Sequence, residues 1–208
     1  ITGTGVLYQV GSGSLVLTAN NTYSGGTEIS AGTLNVGNGG TSGDVGTGNI
    51  TNNSALQIDR SDAFTLANTI SGSGAFRQIG TGTTTLTGNS SNAGTTSVNA
   101  GVLQVGNGGT TGSISSGNLT IGSSGKFVVN RSDSVTLSNV INGSGGFEQA
   151  GTGTTILGAN SSSFNGDILV SSGTLNFGGG VSGAGIGSGT ITNNSTVVFE
   201  RTSGSSMA

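Results

Sequence analysis

Eight carboxylates and five basic side chains are all the charge that 208 residues carry, so any ionic chemistry rests on very few positions. The acids are Glu28, Asp44, Asp59, Asp62, Asp133, Glu148, Asp167 and Glu200. Two carboxyl groups about 5 to 9.5 Å apart would suit glycoside hydrolysis. The densest group is DRSD at Asp59 to Asp62, and it returns as NRSD at Asn130 to Asp133 and as ERTS at Glu200 to Ser203. A catalytic group is singular, whereas a solvated turn with Asx or Ser bonds to backbone is repeated freely. The chain has no histidine and no cysteine, which removes the commonest general base and the thiol nucleophile. No catalytic residue is therefore assigned. Arg60, Asp62, Arg131 and Asp133 remain as a candidate surface interaction patch, and a carbohydrate-binding or carbohydrate-cleaving role would centre there.

The second chemical candidate is glycine. LNVGNGGTSGDVGTGN at Leu34 to Asn49 nearly returns as LQVGNGGTTGSISSGN at Leu103 to Asn118. A calcium β-roll needs carboxylates from stacked loops around one hard cation, yet the single acid here is Asp44 and its counterpart is Ser113. GGGVSG at Gly178 to Gly183 fits a dinucleotide fingerprint in spacing, but no helix-forming segment follows to aim its amides at a pyrophosphate. Neither a metal nor a cofactor is expected. GNGG instead reads as the place where the chain turns a corner. Threonines in TGTTTLT, Thr81 to Thr87, read as polar outward strand positions, because copy one has SGSLVLT at Ser12 to Thr18. Asn20, Asn89 and Asn160 align and are expected to stack at a turn. With so few basic groups against a net charge of −3, the footprint that neutralises phosphates is missing and no nucleic-acid partner is expected.

These groups must be held by short strands. Glycine supplies 43 residues and proline none, and Val, Ile, Leu and Phe recur in brief runs parted by Ser, Thr, Asn and Gly. ISGSGAFRQIGTGTTTL at Ile70 to Leu86 returns as INGSGGFEQAGTGTTIL at Ile141 to Leu157, and TNNSALQIDR at Thr51 returns as TNNSTVVFER at Thr192. The chain thus reads as one domain, residues 1–208, of three copies of a unit of about 70 residues, placed at 1–73, 74–144 and 145–208. Leu34 and Val36 match Leu103 and Val105, then Leu175 and Phe177, with amides between them, the alternation of a half-buried strand. Leu7, Phe76 and Phe147 share a position; Tyr8, Arg77 and Glu148 follow and must face solvent. Gln9, Gln78 and Gln149 should then face inward and bond nearby backbone at a corner, unless the strand stops before them. About three coils of roughly 23 residues per unit predict an all-β parallel β-helix of about nine coils, on the order of 43 Å long. No apolar run approaches the ~20 residues of a membrane helix. The start at Ile1, without Met, suggests an excised or processed piece, and the lack of cysteine suits a chain that crosses a periplasm unfolded.

LTANNTYSGGTEISAGTLNVGNGG, Leu17 to Gly40, closely resembles the autotransporter passenger-associated β-helix repeat. LTGNSSNAGTTSVNAGVLQVGNGG at Leu86 to Gly109 departs from it at Asn-Ala, and LGANSSSFNGDILVSSGTLNFGGG at Leu157 to Gly180 departs most. The resemblance implies a right-handed parallel β-helix in the exported passenger of a bacterial type V autotransporter, displayed at the cell surface. It implies membrane attachment only through a C-terminal barrel missing from this sequence. The family supplies no catalytic residues to carry over. The function expected from it is a structural stalk or adhesive segment whose partner is a host-surface or glycan ligand, or another copy through self-association.

Overall fold

The computed structural model describes residues 1–179 and 185–200. All regular structure among them is strand, and every ladder is parallel. Each strand pairs with the one a single turn later, from the short step Ser14↔Thr33 to the long step Val102↔Lys126. The result is a β-solenoid of about nine turns, as the resemblance implies.

The wall has three faces. The first opens with Leu7–Gln9, Thr27–Ile29, Ile50–Asn52 and Ile70–Ser71, and closes with Ser134–Leu137, Thr154–Leu157, Thr174–Phe177 and Thr196–Phe199. The second runs through Ser14–Leu17, Thr33–Val36, Ala55–Ile58 and Ala75–Gln78 into the first halves of Thr96–Val105 and Leu119–Val129. The second halves of those two long strands belong to the third face, with Ala63–Leu66 and Thr83–Leu86 before them and Gly146–Gln149 and Ile168–Val170 after. A register break between Val98 and Ala100 marks where the long strands bend from one face to the next.

The sequence repeat and the winding do not share a period. Three turns carry the first face from Leu7 to Thr27, to Ile50 and to Ile70, yet the residue equivalent to Leu7 is Phe76, one strand further on. Phe76 lies on the second face beside Leu56, and Phe147 on the third beside Phe127. One repeat therefore equals three turns plus one face. The expected coil of about 23 residues is corrected: the turns differ in length, 19 residues from Ser14 to Thr33 and 24 from Val102 to Lys126, and most are shorter than 23, because hydrogen-bond register sets their length and an internal repeat does not. Equivalent positions consequently do not stack; each copy is turned one face from the last.

Inside, alternate residues fill a narrow tube. Leu34, Val36, Ile50, Leu56, Ile58, Leu103, Val105, Phe127, Val129 and Leu175 are fully buried. Phe127 and Phe147 meet at 5.8 Å between ring centres, and Phe177 stacks on Phe199 at 5.0 Å. Tyr8 and Arg77 face out, as alternation requires.

The three glutamines turn inward and bond the corner. Gln78 Nε2 donates to the carbonyls of Gly80 and Gly82, Gln149 Nε2 to Gly151 and Gly153, and Gln9 Nε2 to Gly11 and Gly13. The corner sequence Q-x-G-x-G is thus stitched by its own side chain. Thr84 and Thr155 donate to the remaining amide oxygens of Gln78 and Gln149. Thr84 is buried, so the threonine row is not wholly outward as expected; Thr84 alone of its threonines points in, and it completes the corner.

Candidate functional site

The glycine run forms a loop that folds back on the end of the strand before it. Gly37, Gly39 and Gly43 have φ of +86°, +84° and +115°, and Gly106, Gly108 and Gly112 have +78°, +90° and +100°. A Cβ at Gly43 would lie 2.4 Å from the carbonyl oxygen of Leu17, so only glycine closes the loop. Asn20 Oδ1 accepts from Gly43 N at 3.3 Å and Asn89 Oδ1 from Gly112 N at 3.0 Å. Asn160 Oδ1 instead accepts from Ser162 N at 3.2 Å. The aligned asparagines thus bond backbone and do not stack on one another. Of the Gly178 to Gly183 run, residues 180–183 lie outside the described residues.

An arginine from the next turn closes each loop. Arg60 Nη2 donates to Thr41 O at 2.7 Å, Nη1 donates to Gly43 O, and Nε and Nη2 form a fork onto Asp62 at 2.9 and 2.8 Å. Arg131 repeats the arrangement with Thr110 O and Gly112 O, both at 2.6 Å, and with Asp133 at 2.8 and 2.6 Å. The guanidinium satisfies loop carbonyls that no strand can reach, while the carboxylate balances its charge. These hydrogen bonds hold the Asp62 and Asp133 carboxyls below the usual carboxylate range. The Arg60 guanidinium also lies 4.7 Å from the centre of the Phe64 ring, a position held by Val135 in copy two.

The four residues of the candidate patch form two separate clamps. Arg60 follows a strand of the second face and precedes one of the third; Arg131 follows a third-face strand and precedes one of the first. They stand on different edges of the solenoid, three turns apart. Arg60 itself is only 7% exposed. The repeated turn expected at RSD is real, but arginine holds it where Asx or Ser bonds to backbone were expected. Asp59 stays outside the ion pair. Arg201, the third-copy equivalent, lies outside the described residues. Sequence alternation gave no hint of the clamp, since it joins a loop to a corner one turn away; the shared Gly-loop and RSD spacing of copies one and two was the available signal.

Asp44, alone in its loop, differs from both clamp acids. Burial raises its pKa, opposed by the bond from Val45 N at 2.7 Å and by Arg60. Its counterpart Ser113 exchanges bonds with the backbone of Ser90. Among the described residues no group of three His, Cys, Asp or Glu converges to hold a metal.

A cleft of about 200 Å³ opens on the first face of copy two, where Ser90 to Asn92, Ser113 to Ser116 and Val135 to Asn139 meet without an intervening strand. In copy one the corresponding interior holds Tyr23, 1% exposed, with its hydroxyl 2.6 Å from Thr27 Oγ1. Copy three holds the buried ring of Phe164. Copy two has Asn92.

Comparison with known proteins matches this arrangement three times over. The sequence model of the passenger-associated-transport-repeat family matches residues 7–36, 76–105 and 147–177, each stretch running from the inward Leu or Phe, through the glutamine corner, to the strand before the glycine loop. The chain therefore carries three copies of the passenger-associated-transport-repeat. The BmaC autotransporter adhesin of Brucella suis biovar 1 is 35% identical over 108 residues, which cover 51% of this chain and 3% of that relative. The matched segment is therefore a small fraction of the relative's length. No solved structure matches the chain.

Proposed function

We propose that the chain is a structural and adhesive stalk segment of an exported passenger, displayed at a bacterial surface. The observation that carries this reading is the joining of three passenger repeats by one sheet of parallel strands that runs from Ser14–Leu17 to Ile191–Asn193. Such a rod transmits load along continuous hydrogen-bonded faces, and each turn templates the next. Because each copy is turned by one face, an outward feature shared by all copies is presented in three directions. A surface partner is met from any side, at the cost of no single continuous patch. The adhesin relative supports contact with host surfaces or glycans as the work of the longer protein, and the repeated scaffold supports a role other than catalysis. Self-association of cells is the competing reading, and sedimentation across a concentration series separates it from a monomeric spacer.

The export reading is tested by placing the chain between a signal peptide and an autotransporter membrane barrel in a Gram-negative host. The expected result is surface display, read by antibody labelling of intact cells and by shedding on protease treatment. Retention in the periplasm with the barrel correctly inserted contradicts it.

A further inference from the structure

The cleft in copy two arises from two losses of aromatic volume at one place. Where copy one carries Tyr23 and Phe64, copy two carries Asn92 and Val135. The backbone around them is kept: Asn139 Nδ2 donates to the carbonyls of Ser115 and Gly117 as Asn68 Nδ2 does to Gly46 and Gly48. The scaffold therefore holds its shape while its filling is missing. A void that served only packing would be closed or lined with apolar groups.

The lining is of another kind. Asn92 is 2% exposed; its Nδ2 donates to Gly74 O at 3.3 Å and its Oδ1 accepts no bond from the chain. The hydroxyls of Ser91, Ser116, Thr136 and Ser138 stand at the rim and are exposed. The floor is apolar, from Val105, Ile114 and Leu137. No lining residue carries a charge, which disfavours phosphates, carboxylates and cations. At ~30 Å³ per water the volume holds about six waters, or one compact ring. A ring with hydroxyls around its edge and C–H groups on its face matches a hydroxyl rim above an apolar floor.

We propose that this cleft binds one neutral pyranose residue, its C–H face on Val105, Ile114 and Leu137, and a ring hydroxyl donating to Asn92 Oδ1. Binding is weak per site, since few groups contact the sugar and no aromatic platform stacks on it. The site belongs to copy two alone and depends on neither export nor display.

The test is titration of the ¹⁵N-labelled full chain with the methyl glycosides of glucose, galactose, mannose and N-acetylglucosamine, each separately. At least one should give saturable shifts at Ser91, Asn92, Ser115 and Ser138, with Kd in the millimolar range. Asn92→Tyr, which restores the copy-one aromatic, should abolish them, and Asn92→Leu, which removes the acceptor without adding a ring, should weaken binding several-fold. If Asn92→Tyr loses native dispersion, Asn92→Leu alone decides. Absence of saturable shifts with all four probes, or shifts unchanged by substitution at Asn92, overturns the proposal.

Discussion

Copies one and two place the same irregular sector on different faces and fill it differently. In copy one, Tyr23 closes the interior, Phe64 lies under the Arg60 guanidinium, and Asp44 half-buries a carboxyl in the glycine loop. In copy two the same positions are Asn92, Val135 and Ser113, and a cleft opens. The loop glycines, the arginine bonds to the loop carbonyls and the glutamine bonds to the corner carbonyls recur in both. The backbone scaffold is therefore carried by glycine geometry and by bonds to carbonyls, and it tolerates large changes in the side chains it encloses.

That contrast can be broken most severely at the aromatic. Tyr23→Asn should cost about 4 kcal/mol, a cavity in a sector closed by nothing else, whereas Asn92→Tyr should stabilise by about 1 kcal/mol. Urea midpoints of the two variants, compared in one background, check the opposite signs. Next in size, Arg60→Met should cost about 3 kcal/mol and Arg131→Met about 2 kcal/mol; both orphan loop carbonyls, but only Arg60 has a ring beneath it. Adding Phe64→Val should shrink the difference between the two arginine variants, measurable as a double-mutant cycle. A smaller contrast lies at the corners. Gln78→Leu should cost about 2 kcal/mol and Gln9→Leu about 1 kcal/mol, because Thr84 donates to Gln78 while Leu15 occupies the matching place in copy one.

The smallest effects are those of pH, and the clamp acids differ in sign from the acid within the copy-one loop. Asp62 and Asp133 have lowered folded pKa values, so their contribution is complete above the unfolded value near 3.8 and is lost as pH falls through the folded values. Asp44 has a raised folded pKa, so its ionisation destabilises, and stability at this site rises as pH falls from that value toward 3.8. Asp44→Ser, the copy-two residue, should raise the thermal midpoint slightly at pH 7 and leave it unchanged near pH 3, by calorimetry at both.

Much of this was legible in the sequence. Period-two alternation placed Leu34, Val36, Leu56 and Ile58 inside, and the exchange of Tyr8, Arg77 and Glu148 at one position exposed the inward glutamine next to it. The glycines of GNGG announced left-handed backbone. The turn length was not legible, because a repeat of about 70 residues constrains the unit and leaves its division to hydrogen-bond register. That one misdivision would have stacked Arg60 over Arg131 and made a patch of two clamps on different edges. The inward Thr84 was hidden for another reason: its partner Gln78 lies across a corner, beyond the reach of strand alternation.

The precession of the repeat is tested most directly by disulfide trapping, in a chain with no native cysteine. Gln57 and Arg77 are register partners on adjacent turns of one face, both directed outward. Paired cysteines at Gln57 and Arg77 should close on mild oxidation, since neighbouring strands lie within disulfide range. A coil of about 23 residues would instead bring Ser54 beside Arg77. Efficient closure of the Gln57 pair, with none for cysteines at Ser54 and Arg77, is the predicted result; the reverse would contradict a repeat of three turns plus one face.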